Sequence, residues 1–201
     1  MATEAAQPES TVPAQAGREL VRRLQQADGA AYADLCGLFG AALHRYAASR
    51  LMGDRELAEE MVAETLMEAV RNIRRFDPRK ASLSAWLYGI ARHHLQAQCR
   101  SQRRKRSVPP QSQVPLDAIA ELADDSPMEG AVGRRLDAQR QLGRLSVVLS
   151  EDEMELLMLS YGQEFTAGEI GRIVGRSARA VETMLHRAKQ KARACLGNAD
   201  G

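Results

Sequence analysis

Aromatic side chains are scarce: one Trp, four Tyr and three Phe make up 4% of the 201 residues. Ala, Leu, Arg, Glu and Gln are plentiful instead. Straight-chain residues lose little rotamer freedom in a helix and β-branched ones lose more, so an all-α fold is expected. Cysteine is sparse too. Cys36, Cys99 and Cys195 are odd in number and far apart, which argues against a disulfide framework and for a reducing cytoplasm. No apolar run reaches the roughly 18 residues that a membrane span requires. The opening MATEAAQPESTVPAQAG lacks the basic start and apolar stretch of a secretory signal, and Pro8 and Pro13 discourage helix there. Residues 1–16 therefore read as a disordered polar leader. There is no glycine-rich phosphate loop and no Cys/His cluster with zinc spacing, since His93-His94 and Cys99 have no fourth ligand nearby. The Ser and His residues stand in no recognisable nucleophile context. No catalytic residue, metal or cofactor is expected.

What the chain does have is segregated charge. The net charge of +2 conceals eight Arg or Lys and no acid between Pro78 and Leu116. From Asp117 to Glu129 there are five acids and no base, and from Asp54 to Glu68 six acids and one base. Such sorting implies several partner surfaces, one of them polyanionic.

Helical periodicity divides the chain into two blocks. The first, residues 17–106, carries Tyr32, Leu35, Phe39, Ala42, Leu43 and Tyr46 at three- and four-residue spacing, with Asp28 as the cap. Gly53 and Asp54 separate that helix from the next. There Leu57, Met61, Val62, Leu66, Ala69, Val70 and Ile73 form the apolar stripe, and Glu56, Glu59, Glu60, Glu64 and Glu68 lie on other faces. Pro78 breaks the pattern, because it disfavours helical geometry in the residue before it. Ser82 then caps a third helix whose stripe is Leu83, Trp86, Leu87, Ile90, Ala91 and Leu95. Residues 107–131 hold four of the seven prolines and read as a linker, with room for one short helix around Leu116–Leu122.

The second block is expected over residues 132–197, followed by a tail at 198–201. Ser150-Glu151-Asp152-Glu153 fits a capping box and opens a helix with Met154, Leu157, Met158 and Tyr161 on one face, closed by Gly162. A second box, Thr166-Ala167-Gly168-Glu169, opens a short helix containing Ile170, Ile173 and Val174. Gly175 follows as a turn, and Ser177 caps a last helix with Val181, Met184, Leu185 and Ala188 inward. This is helix-turn-helix spacing. Between Arg176 and Arg193 there are six basic residues and one acid, Glu182. A helix of this kind fits the major groove, with its first residues at base edges and the flanking cations at phosphates. Arg176, Ser177, Arg179, Ala180, Glu182, Thr183, His186 and Arg187 are the candidates. A helical hairpin with a merely solvated basic face remains the plainer reading.

Two sets of motifs resemble the sigma-70 superfamily, in particular its extracytoplasmic-function (ECF) group, which keeps only the second and fourth conserved regions. The first set is Asp54-Arg55-Glu56-Leu57-Ala58-Glu59-Glu60-Met61-Val62-Ala63-Glu64-Thr65, then Arg74-Arg75-Phe76-Asp77-Pro78, then Ser84 through Arg92. The second is Leu149 through Glu155, Glu169-Ile170-Gly171, and Val181 through Arg187. The resemblance implies two small helical domains that carry RNA polymerase to promoter DNA and open its strands. By that comparison Glu59, Glu60, Met61, Val62, Glu64 and Thr65 meet the clamp of the polymerase largest subunit. Arg74, Arg75, Phe76, Asp77, Arg79 and Lys80 form the loop that captures a flipped base. Arg92, Arg100, Arg103, Arg104, Lys105 and Arg106 would track the parted strands. Trp86 sits on the apolar stripe and reads as core; Tyr88 lies off it and is the better exposed candidate for stacking. Asp117, Glu121, Asp124 and Asp125 in the linker either mimic nucleic-acid charge in the polymerase channel or form a soluble tether. An anti-sigma partner that clamps the domains is implied as well.

The chain departs from the family pattern at Ala63, His93, Ala97, Glu182 and Met184, which bears on promoter sequence more than on role. Glu182 would meet a cytosine edge, pair with a nearby cation, or weaken binding. A conventional helix-turn-helix regulator that works without polymerase is the alternative. Its first block would sense a ligand or dimerise.

Overall fold

The computed structural model describes residues 14–51, 54–105 and 144–197, all-α with no strand among them. The leader up to Pro13, Gly53, Arg106, the linker 107–131 with its acidic patch and short helix, and the tail lie outside the described residues. The side chains of Arg103, Arg104 and Lys105 do too.

The first domain is four helices. Helix α1, Ala14–Gln25, begins inside the stretch expected to be leader and buries Leu20, Val21 and Leu24. Proline is hostile to a helix interior but suits a helix start, so Pro13 immediately before α1 marks a boundary instead of preventing the helix. The corner that follows places Ala27 at φ 58°. Arg23 spans it, with Nε 2.7 Å from Asp28 and Nη1 2.6 Å from Asp34. Helix α2, Gly29–Arg50, is capped by the Asp28 carboxylate, which accepts from the Ala30 N–H. Leu35, Phe39, Ala42, Leu43 and Tyr46 face inward as their spacing predicts, whereas Tyr32 is 40% exposed at the outer rim. Helix α3, Arg55–Asn72, is capped by Asp54 through the Leu57 N–H and ends in a 3-10 turn at Ile73–Arg75. Helix α4, Leu83–Lys105, starts at Ser82, whose Oγ accepts from the Ala85 N–H.

The second domain is smaller. Residues 144–148 are helical, and α5, Glu151–Leu157, opens on the Ser150–Glu153 capping box. From Met158 to Gly162 the chain widens into a π turn. Glu155, Leu156 and Leu159 are buried, Met154, Leu157 and Met158 are half-buried, and Tyr161 is 64% exposed. The inward face is thus Glu155, Leu156 and Leu159, still at helical spacing, in place of the expected Met154, Leu157, Met158 and Tyr161. Helix α6, Ala167–Val174, opens on the Thr166–Glu169 box, and α7, Ala178–Gly197, is the long basic helix.

The two blocks share one apolar cluster. Phe165 lies edge-on to Tyr88 with ring centroids 5.1 Å apart, and Tyr88 stacks tilted on Tyr46 at 5.1 Å. The second domain is seated against α2 and α4.

Candidate nucleic-acid and partner interface

The acidic helix α3 divides its residues sharply. Glu59 and Glu60 are exposed, and Val62 and Glu64 are half-buried. Met61 and Thr65 face the core at 7% and 1% exposure, and the Thr65 hydroxyl donates to the Met61 carbonyl at 2.7 Å. Those two therefore pack α3 on the core, and Glu59, Glu60, Val62 and Glu64 are the outward members of the expected set. His94 of α4 stands between Glu64 and Glu68, its ring nitrogens 3.6 and 2.7 Å from their oxygens. A cleft of about 640 Å³ opens beside Glu59 and Val62, lined also by Tyr32, Cys36 and His44.

Beyond α3 the chain turns through a compact basic loop. Arg74, Arg75, Arg79 and Lys80 are exposed. Asp77 shapes the loop: its carboxylate accepts from the Arg79 N–H at 3.0 Å and its carbonyl from the Lys80 N–H at 3.0 Å. An aspartate bonding the backbone two residues on is a standard way to fix a turn. Phe76 is the loop's anchor, 8% exposed, with its ring 5.2 Å from that of the half-buried Trp86. The cations are thus displayed around a rigid apolar foot.

On α4 the outcome differs from expectation. Tyr88 is 1% exposed and lies between Tyr46 and Phe165, not at the surface as expected. The second domain covers the face that a single-helix reading leaves open. Burial raises the Tyr88 phenol above its ordinary pKa, and its Oη finds no partner among the described residues. Arg92 is only 17% exposed, and its Nε stands 3.3 Å from the Glu155 carboxylate. Arg100 is exposed.

Glu155 is the functional-looking residue that periodicity missed. It is 1% exposed, accepts a hydrogen bond from the Tyr46 hydroxyl, and faces Arg92. Burial, and then the Glu155 charge, push the Tyr46 phenol well above its ordinary pKa, which keeps it a donor. The signal in the sequence was a lone carboxylate among Met154, Leu156 and Leu157, a place where an acid needs partners from elsewhere. A second polar contact joins the domains at Ser82, whose Oγ donates to Glu169 at 2.7 Å. Burial acts to raise the Glu169 carboxyl, and the hydrogen bonds from Ser82 and Thr166 outweigh it, so its pKa is lowered.

The helix-turn-helix is built around two glycines. Gly175 caps α6 in the left-handed region at φ 71°, where a Cβ is disfavoured. A Cβ on Gly171 would lie 2.6 Å from the Arg176 carbonyl oxygen, so only glycine lets α6 approach the start of α7. Arg176 and Ser177 just before α7, and Arg179, Glu182, Thr183, His186 and Arg187 on it, are exposed, and Ala180 is half-buried. Ser177 spends its Oγ on the Ala180 N–H as the helix cap, and Thr183 Oγ1 donates to the Arg179 carbonyl. Glu182 pairs with no cation among the described residues. Arg176 in the turn and Arg179 and Arg187 on α7 are exposed cations, an arrangement suited to a duplex groove and its phosphates.

Comparison with known proteins agrees with this architecture. Residues 39–105 match Sigma-70 region 2, and residues 139–191 match Sigma-70 region 4. The chain is 31% identical over 181 residues to the ECF RNA polymerase sigma factor ShbA of Streptomyces griseus, covering 87% of this chain and 92% of that one. It is 27% identical over 171 residues to the ECF RNA polymerase sigma factor BldN of Streptomyces coelicolor, covering 85% of this chain and 62% of that one. In fold it resembles the sigma factor RpoE of Bartonella quintana, solved with the anti-sigma factor NepR, with a TM-score of 0.60 and 23% identity over 83% of this chain and 96% of that one. The chain belongs to the sigma-70 family, within its ECF group of RNA polymerase sigma factors. It is a factor of transcription initiation, and the alternative of a polymerase-independent regulator is not favoured. No helix among the described residues is long and apolar enough to cross a membrane.

Proposed function

We propose that this factor divides initiation among three surfaces. Glu59, Glu60, Val62 and Glu64 dock α3 on a basic face of the core polymerase, at the clamp of its largest subunit. The loop Arg74–Lys80, with Arg100, Arg103 and Arg104 further along α4, holds a flipped base and the strand beside it. Extruding a base costs a few kcal/mol of stacking, which the neighbouring cations and the apolar foot at Phe76 must offset. Helix α7 enters intact duplex upstream through Arg176, Arg179, Glu182, Thr183, His186 and Arg187. Residues 17–106 and 132–197 are the two working domains, and 107–131 is the connection between them.

The observation that carries this reading is the separation of exposed charge: acids on α3, cations on the 74–80 loop and on α7. The factor itself supplies no chemistry; the polymerase does. The cytoplasm, where polymerase works, is its place. Because RpoE was solved with an anti-sigma factor, a protein inhibitor of that kind is proposed for this chain as well.

Run-off transcription with purified core polymerase and promoter-bearing DNA tests the proposal. Promoter-specific transcripts should require the chain, and Glu59→Arg with Glu60→Arg should abolish them together with co-migration with core. Unchanged transcripts from that double variant would defeat the docking assignment.

A further inference from the structure

Tyr161 is the most exposed aromatic residue described, 64% open to solvent in a chain with only one Trp, four Tyr and three Phe. It stands in the π turn Met158–Gly162, and single π turns occur frequently at functional sites. The ammonium of Lys189, on α7, lies over its ring, 5.0 Å from the centroid. Lys189 follows His186 by three residues and Glu182 by seven, so it shares the side of α7 that carries them. Both of those residues are exposed, and the proposed function sends them into duplex DNA.

The partner is what separates Lys189 from the next lysine. Lys191 is paired with the Glu153 carboxylate at 2.7 Å. Lys189 has a neutral ring instead, and no carboxylate pairs with it among the described residues. An aromatic face attracts an ammonium through its quadrupole and fixes its direction, yet leaves the positive charge and N–H donors for a third group. A long side chain otherwise loses rotamer freedom when it binds, and here part of that ordering is done beforehand. Such a cation suits an anion that approaches along the exposed side of α7, as a DNA phosphate does.

We propose that Tyr161 and Lys189 form a further phosphate-contacting site for duplex DNA, in which Lys189 makes the contact and the Tyr161 ring holds it in position. The assignment rests on the reading of α7 as the duplex-binding helix. It extends that surface past Arg187 and brings in the π turn, which precedes the helix-turn-helix.

The test follows binding of the full chain by fluorescence anisotropy across a salt series. The probe is a labelled mixed-sequence duplex of about 20 base pairs, which suffices because phosphate contacts carry no sequence information. Lys189→Gln should weaken binding about fivefold at about 50 mM salt and reduce the slope of log affinity against log salt by about 0.9, the contribution of one neutralised phosphate. Tyr161→Ala keeps the charge but frees it, so affinity should fall about threefold with the slope retained. Tyr161→Phe keeps the ring and should restore the affinity. Adding Tyr161→Ala to Lys189→Gln should cost nothing further, because the two residues act as one unit.

An unchanged slope in Lys189→Gln would overturn the phosphate contact. Wild-type affinity in Tyr161→Ala, or a loss that Tyr161→Phe shares, would overturn the positioning role of the ring. Failure of the underlying reading is separable, since Arg179→Gln and Arg187→Gln would then leave affinity and slope untouched as well. If the Lys189 assignment alone is wrong, those two variants still weaken binding.

Discussion

The two domains reach a folded state by different means. The first closes four helices over a broad apolar interior in which Leu35, Leu43, Leu87 and Leu95 are almost wholly buried. The second has short helices and few large core residues, and it depends on local devices: two capping boxes, a left-handed glycine, a glycine with no room for a methyl, and a seat against its neighbour. The tight corners do not differ in that way: each domain holds one non-glycine residue in the left-handed region, Ala27 at φ 58° and Glu164 at φ 53°, and the second adds Gly175 at φ 71°. The lesson is that damage to the first domain should come through packing, and damage to the second through backbone geometry.

The largest expected effect sharpens that contrast. Leu87→Ala, at a fully buried position, should cost about 3 kcal/mol by cavity formation, read as a lowered denaturant midpoint. A loss well below 1 kcal/mol would mean the first domain is not held by its packing. Gly171→Ala comes next. Its methyl would meet a backbone carbonyl that cannot swing away, so about 2 kcal/mol should be lost and duplex binding by α7 with it. Wild-type duplex affinity in that variant would show that the α6–α7 approach is slacker than described.

Tyr88→Phe tests the shared boundary and has the opposite sign. Deleting a buried hydroxyl with no partner among the described residues should raise stability by about 1 kcal/mol and leave promoter opening unchanged. If transcription instead fell while stability held, Tyr88 would be restored to the strand-binding surface. The smallest effect concerns acid. The Lys191 ammonium, then the Ser150 N–H, holds the Glu153 carboxyl below its ordinary value. A carboxyl whose folded pKa is depressed contributes stability above its unfolded value, and that contribution fades as pH falls through the folded value. With Lys191 nearly half exposed, the contribution stays under about 1 kcal/mol. Lys191→Ala should lower stability at neutral pH and shrink the loss on acidification; identical acid profiles would remove the pair from the account.

Much of this was legible beforehand where the cause is local. Asp28, Ser82, Ser150, Thr166 and Ser177 cap the helices they were expected to cap, and Asp54, expected at a helix boundary, is a cap as well, because an N-terminal N–H needs an acceptor within a few residues. The exposed cations Arg74, Arg79 and Arg187 were equally plain, being charges with no apolar neighbour to bury them. Tyr88 and Arg92 are less exposed than their spacing implies for one reason: α4 has a face that looks solvated until a second domain lies on it. The inward face of α5 could not be chosen from spacing alone, because 155/156/159 and 154/157/158/161 both fit a helical period and the packed partner decides between them.

Sequence by itself determined the helices, their ends, the glycine turn of the helix-turn-helix and the sorting of charge, all effects that act over one or two helical turns. Only the tertiary structure decided that Thr65 turns inward, that Tyr88 is a seam between domains, and that Glu155 meets Tyr46 and Arg92. Those outcomes join residues many positions apart, and burial at such a contact depends on what the rest of the chain brings to it.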